Sequence, residues 1–164
     1  MLAEPLDVDG ATLLVRSARR DDLATIVSLL SDDVLGQGRE SPAGDLARYE
    51  RAFDMIEAHP NQELVVVERD GEIVATFDLA ILPSLSRQGS VRMQVEAVRV
   101  ASSARGGGLG GAIFTWIIDY ARRRDCELLQ LTSDRTRSGA HAFYDRLGFV
   151  DSHVGYKLDL RDED

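Results

Sequence analysis

The stretch 104-ARGGGLGGAIFTW-116 decides how the rest of the chain is read. Five of the six residues from Gly106 to Gly111 lack a side chain, and the run opens directly into an apolar segment with helical spacing. Glycine loses more backbone entropy on ordering than any other residue, so such a run needs a reason. Bare backbone between a strand and a helix is what an anion site requires. Amide N–H groups face outward, the helix dipole adds partial positive charge, and phosphate oxygens can approach closely. A diphosphate is the natural guest, and Arg105 at the loop entrance can add a charge-assisted contact to it. A turn that merely lets strand and helix pack closely is the alternative, although one or two glycines would serve that purpose.

Downstream of the loop, Ile113, Phe114, Ile117, Ile118 and Ala121 mark one helix face as far as the charged 122-RRRD-125. The run 127-ELLQLTS-133 is apolar enough to lie inside a sheet, a helix is predicted over about 138–147 with Gly148 as its left-handed cap, and a last strand over about 153–160. Upstream, a strand is predicted at about 90–100, and 63-ELVVVERDGEIVATFDLAIL-82 reads as two strands joined across Asp70-Gly71, a strong hairpin signal. Before these, 12-TLLVRSA-18 reads as a strand, and Asp21 followed by Leu23, Ile26, Val27, Leu29 and Leu30 as a capped helix. The loop 36-GQGRESPAG-44 leads to a helix at about 45–58, with Leu46, Tyr49, Phe53 and Ile56 on one face and Pro60 closing it. The order describes one α/β domain over residues 1–164, with hairpins first and a parallel crossover later.

Composition removes several function classes. With 28 acidic against 19 basic residues the net charge is −9, which disfavours nucleic acid and anionic membrane and favours a cationic small substrate, or simply keeps the protein soluble. No apolar run reaches the roughly 18 residues of a membrane span, and the start MLAEPLDVDG is acidic where a signal peptide is basic, so a cytoplasmic protein is expected. Cys126 is the single cysteine and His59, His141 and His153 are scattered, so no metal site is expected. The only lysine is Lys157, which excludes the lysine-dependent P-loop. Gly106, Gly108 and Gly111 satisfy G-x-G-x-x-G, with Asp134 near the acidic position of a dinucleotide fold, but residues 112–164 are too few to build that fold's second half.

Arg105, Gly108 and Gly110 match the pattern [R/Q]-x-x-G-x-[G/A], just after 98-VRV-100, and 142-AFYDRLGFV-150 supplies a Y-x-x-L-G-F segment. On these residues, and on the element order from Leu14 to Leu160, the chain resembles the GNAT superfamily of acetyl-CoA-dependent N-acetyltransferases. The resemblance implies a mixed sheet of about six or seven strands, splayed at the CoA site and flanked by about four helices. It implies acetyl-CoA as acyl donor, with its pyrophosphate on Gly106, Gly107, Gly108, Leu109, Gly110 and Gly111. It also implies that the pantetheine arm runs as a pseudo-strand beside Val98, Arg99 and Val100. An asparagine common in the family is replaced here by Arg137, which, like Arg135, either reaches a CoA phosphate or lies on a solvated helix face.

Amide formation needs a neutral amine, a polarised thioester and a proton for the departing thiolate. On a regular strand Glu96 shares a face with Val98 and Val100 and could take the amine proton, directly or through water. It could equally hold a cationic substrate or pair with Arg92 or Arg99, and a β-bulge would change its facing. Tyr144 resembles the tyrosine that family members use as general acid, and a phenol is a protonated donor at neutral pH. Its alternative is packing beside Phe143 and Leu147. His141, one turn earlier, reads as a bystander. The acceptor, a small-molecule or peptide amine, is expected near the early helices, the loop 36–44 and 82-LPSLSRQGS-90, where Asp32, Asp33, Glu40 and Asp45 would attract a cation. Exposed sheet edges allow a homodimer. A non-catalytic acyl-CoA sensor and a dinucleotide-dependent oxidoreductase stand as the other readings.

Overall fold

A computed structural model describes residues 2–32 and 46–160, so Asp33, Glu40, Asp45 and the loop 36–44 lie outside the described residues. These residues form two compact units divided between Leu131 and Thr132. In the first, six strands stand in sequence order: β1 (Ala3–Val8), β2 (Ala11–Ser17), β3 (Gln62–Arg69), β4 (Glu72–Pro83), β5 (Val91–Val100) and β6 (Leu128–Leu131). Every neighbouring pair is antiparallel except β5 and β6, which are parallel. The crossover between these two contains α4 (Leu109–Arg123), as a parallel connection requires.

The hairpins follow their turn residues. Asp70 and Gly71 have φ of 52° and 85°, and Asp9 and Gly10 have φ of 48° and 83°, the left-handed pair that a tight two-residue hairpin needs. The second of these turns creates β1, a strand not anticipated from the sequence. Within β1, Pro5 sits on an edge strand, where a missing N–H is tolerated.

One sheet face receives α4. Val15, Val65, Val67, Phe77, Leu79, Met93 and Val95 are buried there against Leu109, Ile113, Phe114 and Ile117. Trp116 lies 6.0 Å from the Phe77 ring, and its indole N–H donates to Glu4 of β1 at 2.9 Å. The other face is covered by α1 (Leu23–Ser31), which packs on β4 and β5, and by α2 (Ala47–Ala58), which packs on β3. Beside α1, the buried Arg16 donates to Asp22 at 2.7 Å and to Glu68 at 2.8 Å. The hydrogen bond to Asp22 raises the guanidinium's pKa despite burial. Burial alone would push the Asp22 carboxyl up, but bonds from Arg16 and from the Arg19 backbone hold it below its usual range.

A short turn, α3 (Ser86–Gly89), carries Arg87 and Gln88 in left-handed conformations. In the second unit, α5 (Ser138–Arg146) ends as expected at Gly148, with φ of 87° and the Phe149 amide bonded to the Tyr144 carbonyl at 3.1 Å. Five α-helices thus occur among the described residues, where about four were expected. The predicted strand over about 153–160 is not present: those residues have no regular structure and are exposed. Val154, Tyr156, Leu158 and Leu160 alternate as a strand would, but alternation defines a face and not a pairing partner.

Candidate functional site

Strand β5 organises the site. Its parallel pairing with β6 runs only from Arg92↔Leu128 to Val95↔Leu131, while β5 itself continues to Val100. From Glu96 onward β5 therefore pairs with β4 alone, and the β5–β6 cleft opens where an extended ligand with amide groups can pair with backbone. Beyond Val100 the chain turns through Ser102–Ala104 into the glycine loop.

The loop is built as an anion cradle. Gly106 and Gly108 have φ of 85° and 70°, and Gly108 is the left-handed N-cap of α4. A Cβ added at Gly106, Gly107 or Gly111 would meet no atom of the described residues within 4 Å beyond its chain neighbours and its own helix, so close packing against them does not account for the missing side chains. The bond from Ala112 N–H to the Gly108 carbonyl, 3.0 Å, is the first that α4 can close, which leaves the amides of Leu109, Gly110 and Gly111 without a carbonyl one turn back. No acid stands in this first turn, and Leu109 and Ile113 anchor it in the core. These residues fit a diphosphate. Asp9, from the β1–β2 turn, comes within 3.6 Å of where a Gly108 Cβ would lie.

Arg105 is engaged below the loop. Its guanidinium donates to the Asp32 carboxylate at 3.0 Å, and its Nε donates to the Val100 carbonyl at 3.0 Å. Asp32 thus holds Arg105 and also caps the Ser102 amide at 3.2 Å.

Glu96 does not share a face with Val100, contrary to the regular-strand expectation. Between Thr76 and Asp78 the β4–β5 register shifts: Asp78 faces Glu96 and Thr76 faces Arg99, so Ala97 and Val98 stand opposite Phe77 alone. Ala97 has φ of 53°, the left-handed conformation of a bulge residue. The extra residue reverses the alternation. Glu96 and Arg99 lie opposite Asp78 and Thr76 on the side of α1 and α2, and Val100 lies opposite Ala75 on the side of α4. The Glu96 carboxylate is exposed and accepts a hydrogen bond from Gln94 at 2.7 Å. The Arg99 Nη1 donates to the Val98 carbonyl at 3.0 Å.

On the Glu96 side the sheet and helices line a half-open pocket of about 160 Å³. Leu23, Ile26, Val27 and Leu30 of α1 line it, with Tyr49, Ala52, Phe53 and Ile56 of α2, Leu64 of β3, Thr76 and Asp78 of β4, and the bulge residue Ala97. Asp78 is the one charged side chain of this wall among the described residues. Its Oδ2 accepts from Gln62 at 3.0 Å, and its buried Oδ1 has no hydrogen-bond partner among the described residues. Burial pushes its pKa up to about 6. The Gln62 bond opposes that rise, and the charge of Glu96 adds to it. Sequence reasoning missed Asp78; the available signal was a lone acid inside the apolar run 73-IVATFDLAIL-82.

In the second unit, Tyr144 lies on α5 with its ring 5.5 Å from Phe143 and 5.8 Å from Phe149. The carbonyl of Asp134 contacts His141 Nε2 at 2.9 Å, and its carboxylate accepts from the Thr136 amide and hydroxyl, so Asp134 builds the turn before α5. Arg137 occupies the N-cap position of α5. No group of three or more metal-ligating side chains occurs among the described residues, and no described helix is long and apolar enough to cross a membrane.

Comparison with known proteins agrees with this geometry. Residues 24–149 match the acetyltransferase (GNAT) family. Over 97 residues the chain is 29% identical to an aminoalkylphosphonate N-acetyltransferase of Salmonella typhimurium, covering 59% of this chain and 62% of that one. Over 90 residues it is 33% identical to a glucosamine 6-phosphate N-acetyltransferase of Trypanosoma brucei brucei, covering 55% of this chain and 59% of the relative. The chain therefore matches about six tenths of the length of these curated relatives. Among solved structures, one described as a transcriptional regulator from Bacillus halodurans C-125 superposes with a TM-score of 0.84 at 41% identity, covering 90% of this chain and 99% of that one.

Proposed function

Because the chain belongs to the acetyltransferase (GNAT) family, we propose that it moves an acetyl group from acetyl-CoA to a primary amine, by direct attack when both substrates are bound. One observation carries this reading: β5 runs from the wall of the apolar pocket, at Ala97, to Val100, and a short turn over Ser102–Ala104 then leads into the glycine loop. Donor and acceptor sites are thereby built on a single strand. The two curated relatives are named for acceptors that each carry an amine together with a phosphonate or phosphate group, and the amine is the part that an acetyl transfer uses.

The donor supplies an activated thioester. Amides of the Gly106 to Gly111 loop would hold its pyrophosphate, the open side of β5 from Glu96 to Val100 would pair with its extended arm, and Arg105 would reinforce the loop through Asp32. Glu96 accepts a proton from the attacking nitrogen, directly or through water, as the nitrogen–carbon bond forms and the carbon–sulfur bond breaks. The Tyr144 hydroxyl donates a proton to the leaving sulfur; this role rests on the chemistry of a phenol and on the Y-x-x-L-G-F match.

A panel of amines assayed by thiol release from acetyl-CoA tests the proposal. At least one amine should be acetylated, and Glu96→Gln should lower the rate mainly below the amine's own pKa, with the deficit shrinking as pH rises. Were Glu96 only a binding group, KM for the amine would rise while kcat held. A CoA-binding regulatory role without catalysis is the second reading, favoured by the description of the Bacillus halodurans structure. Tight CoA binding with no thiol release from any amine would select it.

A further inference from the structure

The cavity under α1 and α2 has a composition that selects its occupant. Ten of its twelve lining residues among the described residues are carbon-walled side chains or tyrosine, and the other two, Thr76 and Asp78, sit together on β4. The Thr76 hydroxyl is already committed to the Val65 carbonyl at 3.0 Å. Asp78 is left with a buried carboxylate oxygen that has no donor among the described residues, directly across the strand pair from Glu96. A buried acceptor without a donor is costly, and two facing carboxylates add repulsion. A ligand that brings N–H donors and positive charge relieves both.

We propose that the acceptor is a primary amine on a compact apolar stem, and that Asp78 is the specificity-determining residue that holds its ammonium group beside Glu96. The inference rests on the acetyl-transfer reading of the site. The pocket has room for such a stem: a space near 150 Å³ lined by aliphatic and aromatic groups accommodates benzene, so about 160 Å³ takes one six-membered ring or an alkyl chain of similar bulk. Charge bounds the stem. An amine bearing a phosphate or phosphonate would carry its anion into a wall whose charged side chain, among the described residues, is a carboxylate. The seated ammonium loses one proton to solvent, and Glu96 takes the second from the attacking nitrogen as the nitrogen–carbon bond forms. Asp78 binds and orients; Glu96 takes the proton.

The test is calorimetric binding at pH 7.5 with saturating CoA, a condition in which no acetyl group can move. Benzylamine should bind at least tenfold more tightly than both benzyl alcohol and 2-aminoethylphosphonate. Asp78→Asn should weaken benzylamine at least tenfold and leave CoA affinity unchanged. Leu64→Phe, which fills the cavity opposite Asp78, should weaken benzylamine more than ethylamine. The inference is overturned if benzyl alcohol or 2-aminoethylphosphonate binds as well as benzylamine to the unmodified protein, or if folded Asp78→Asn binds benzylamine undiminished. The two readings fail separately. Asp78-dependent benzylamine binding without any thiol release from acetyl-CoA would remove the transferase reading only, whereas acetylation of amines indifferent to Asp78 would remove this inference and leave the transferase.

Discussion

An aspartate titrating near 6 inside an apolar wall affects folding as well as recognition. The folded-state pKa of Asp78 lies above the ordinary carboxylate value, so the folded protein prefers the protonated form. The associated stability is complete below about pH 4 and is lost as pH rises through about 6. Asp78→Asn should therefore stabilise the protein at pH 8, on the order of 1 kcal/mol after allowing for partial solvent screening. The gain should vanish by about pH 4 in thermal denaturation series. Besides burial, the groups bearing on this titration are Gln62 on β3, Glu96 across the strand pair and the backbone amide of Leu79. Tyr144→Phe preserves the ring contacts with Phe143 and Phe149 and removes only the hydroxyl, so CoA affinity should hold while turnover falls about 100-fold or more if the phenol protonates the leaving sulfur. Glu96 and the glycines were legible because they sit in local patterns with a chemical reason. Asp78 was not, since an acid within a strand has the same appearance whether its face meets water or a helix pair.

The glycine loop and the bulge are both devices of backbone geometry, and they differ in how openly the sequence announces them. Gly108→Val would place a β-branched residue at a φ of 70° and should raise the CoA dissociation constant at least about tenfold, roughly 1.4 kcal/mol, as measured by calorimetry on folded protein. Unchanged affinity would remove the loop from the donor site. Five glycines in six residues are visible without coordinates, as are the Asp-Gly hairpin, the helix faces and Gly148. The bulge at Ala97 is hidden, because no glycine or proline marks it and the residues around it continue a plausible alternation. Its effect on the facing of Glu96 could be read only from the register against β4. The strand expected at about 153–160 failed for a related reason. Periodicity of two records which side chains would share a face, and says nothing of whether an edge is offered to them.

Within the first unit, one buried charge cluster locks three segments of the chain together. Arg16 on β2 joins Asp22, just before α1, to Glu68 on β3, and its side chain is only 8% exposed. Arg16→Met should cost about 3 kcal/mol at pH 7, since two acids would lose their partner. Asp22 is held below its usual range, so its contribution is present above about pH 4 and disappears as pH falls through its folded-state value. The penalty of Arg16→Met should shrink accordingly in acid-denaturation curves. The bulge has another kind of consequence, one of inheritance. Loss of the single codon for Ala97 would leave Glu96 opposite Asp78 and Arg99 opposite Thr76, with Val98 facing Phe77 in an unbroken ladder. Relief of the left-handed alanine should make that deletant more stable by about 1 kcal/mol, and if the extra residue serves the proposed donor arm its thiol release should fall. A lineage freed from selection for catalysis would then be expected to shed this codon and keep the fold, so the spacing between Glu96 and Arg105 would record whether a descendant still works as an enzyme.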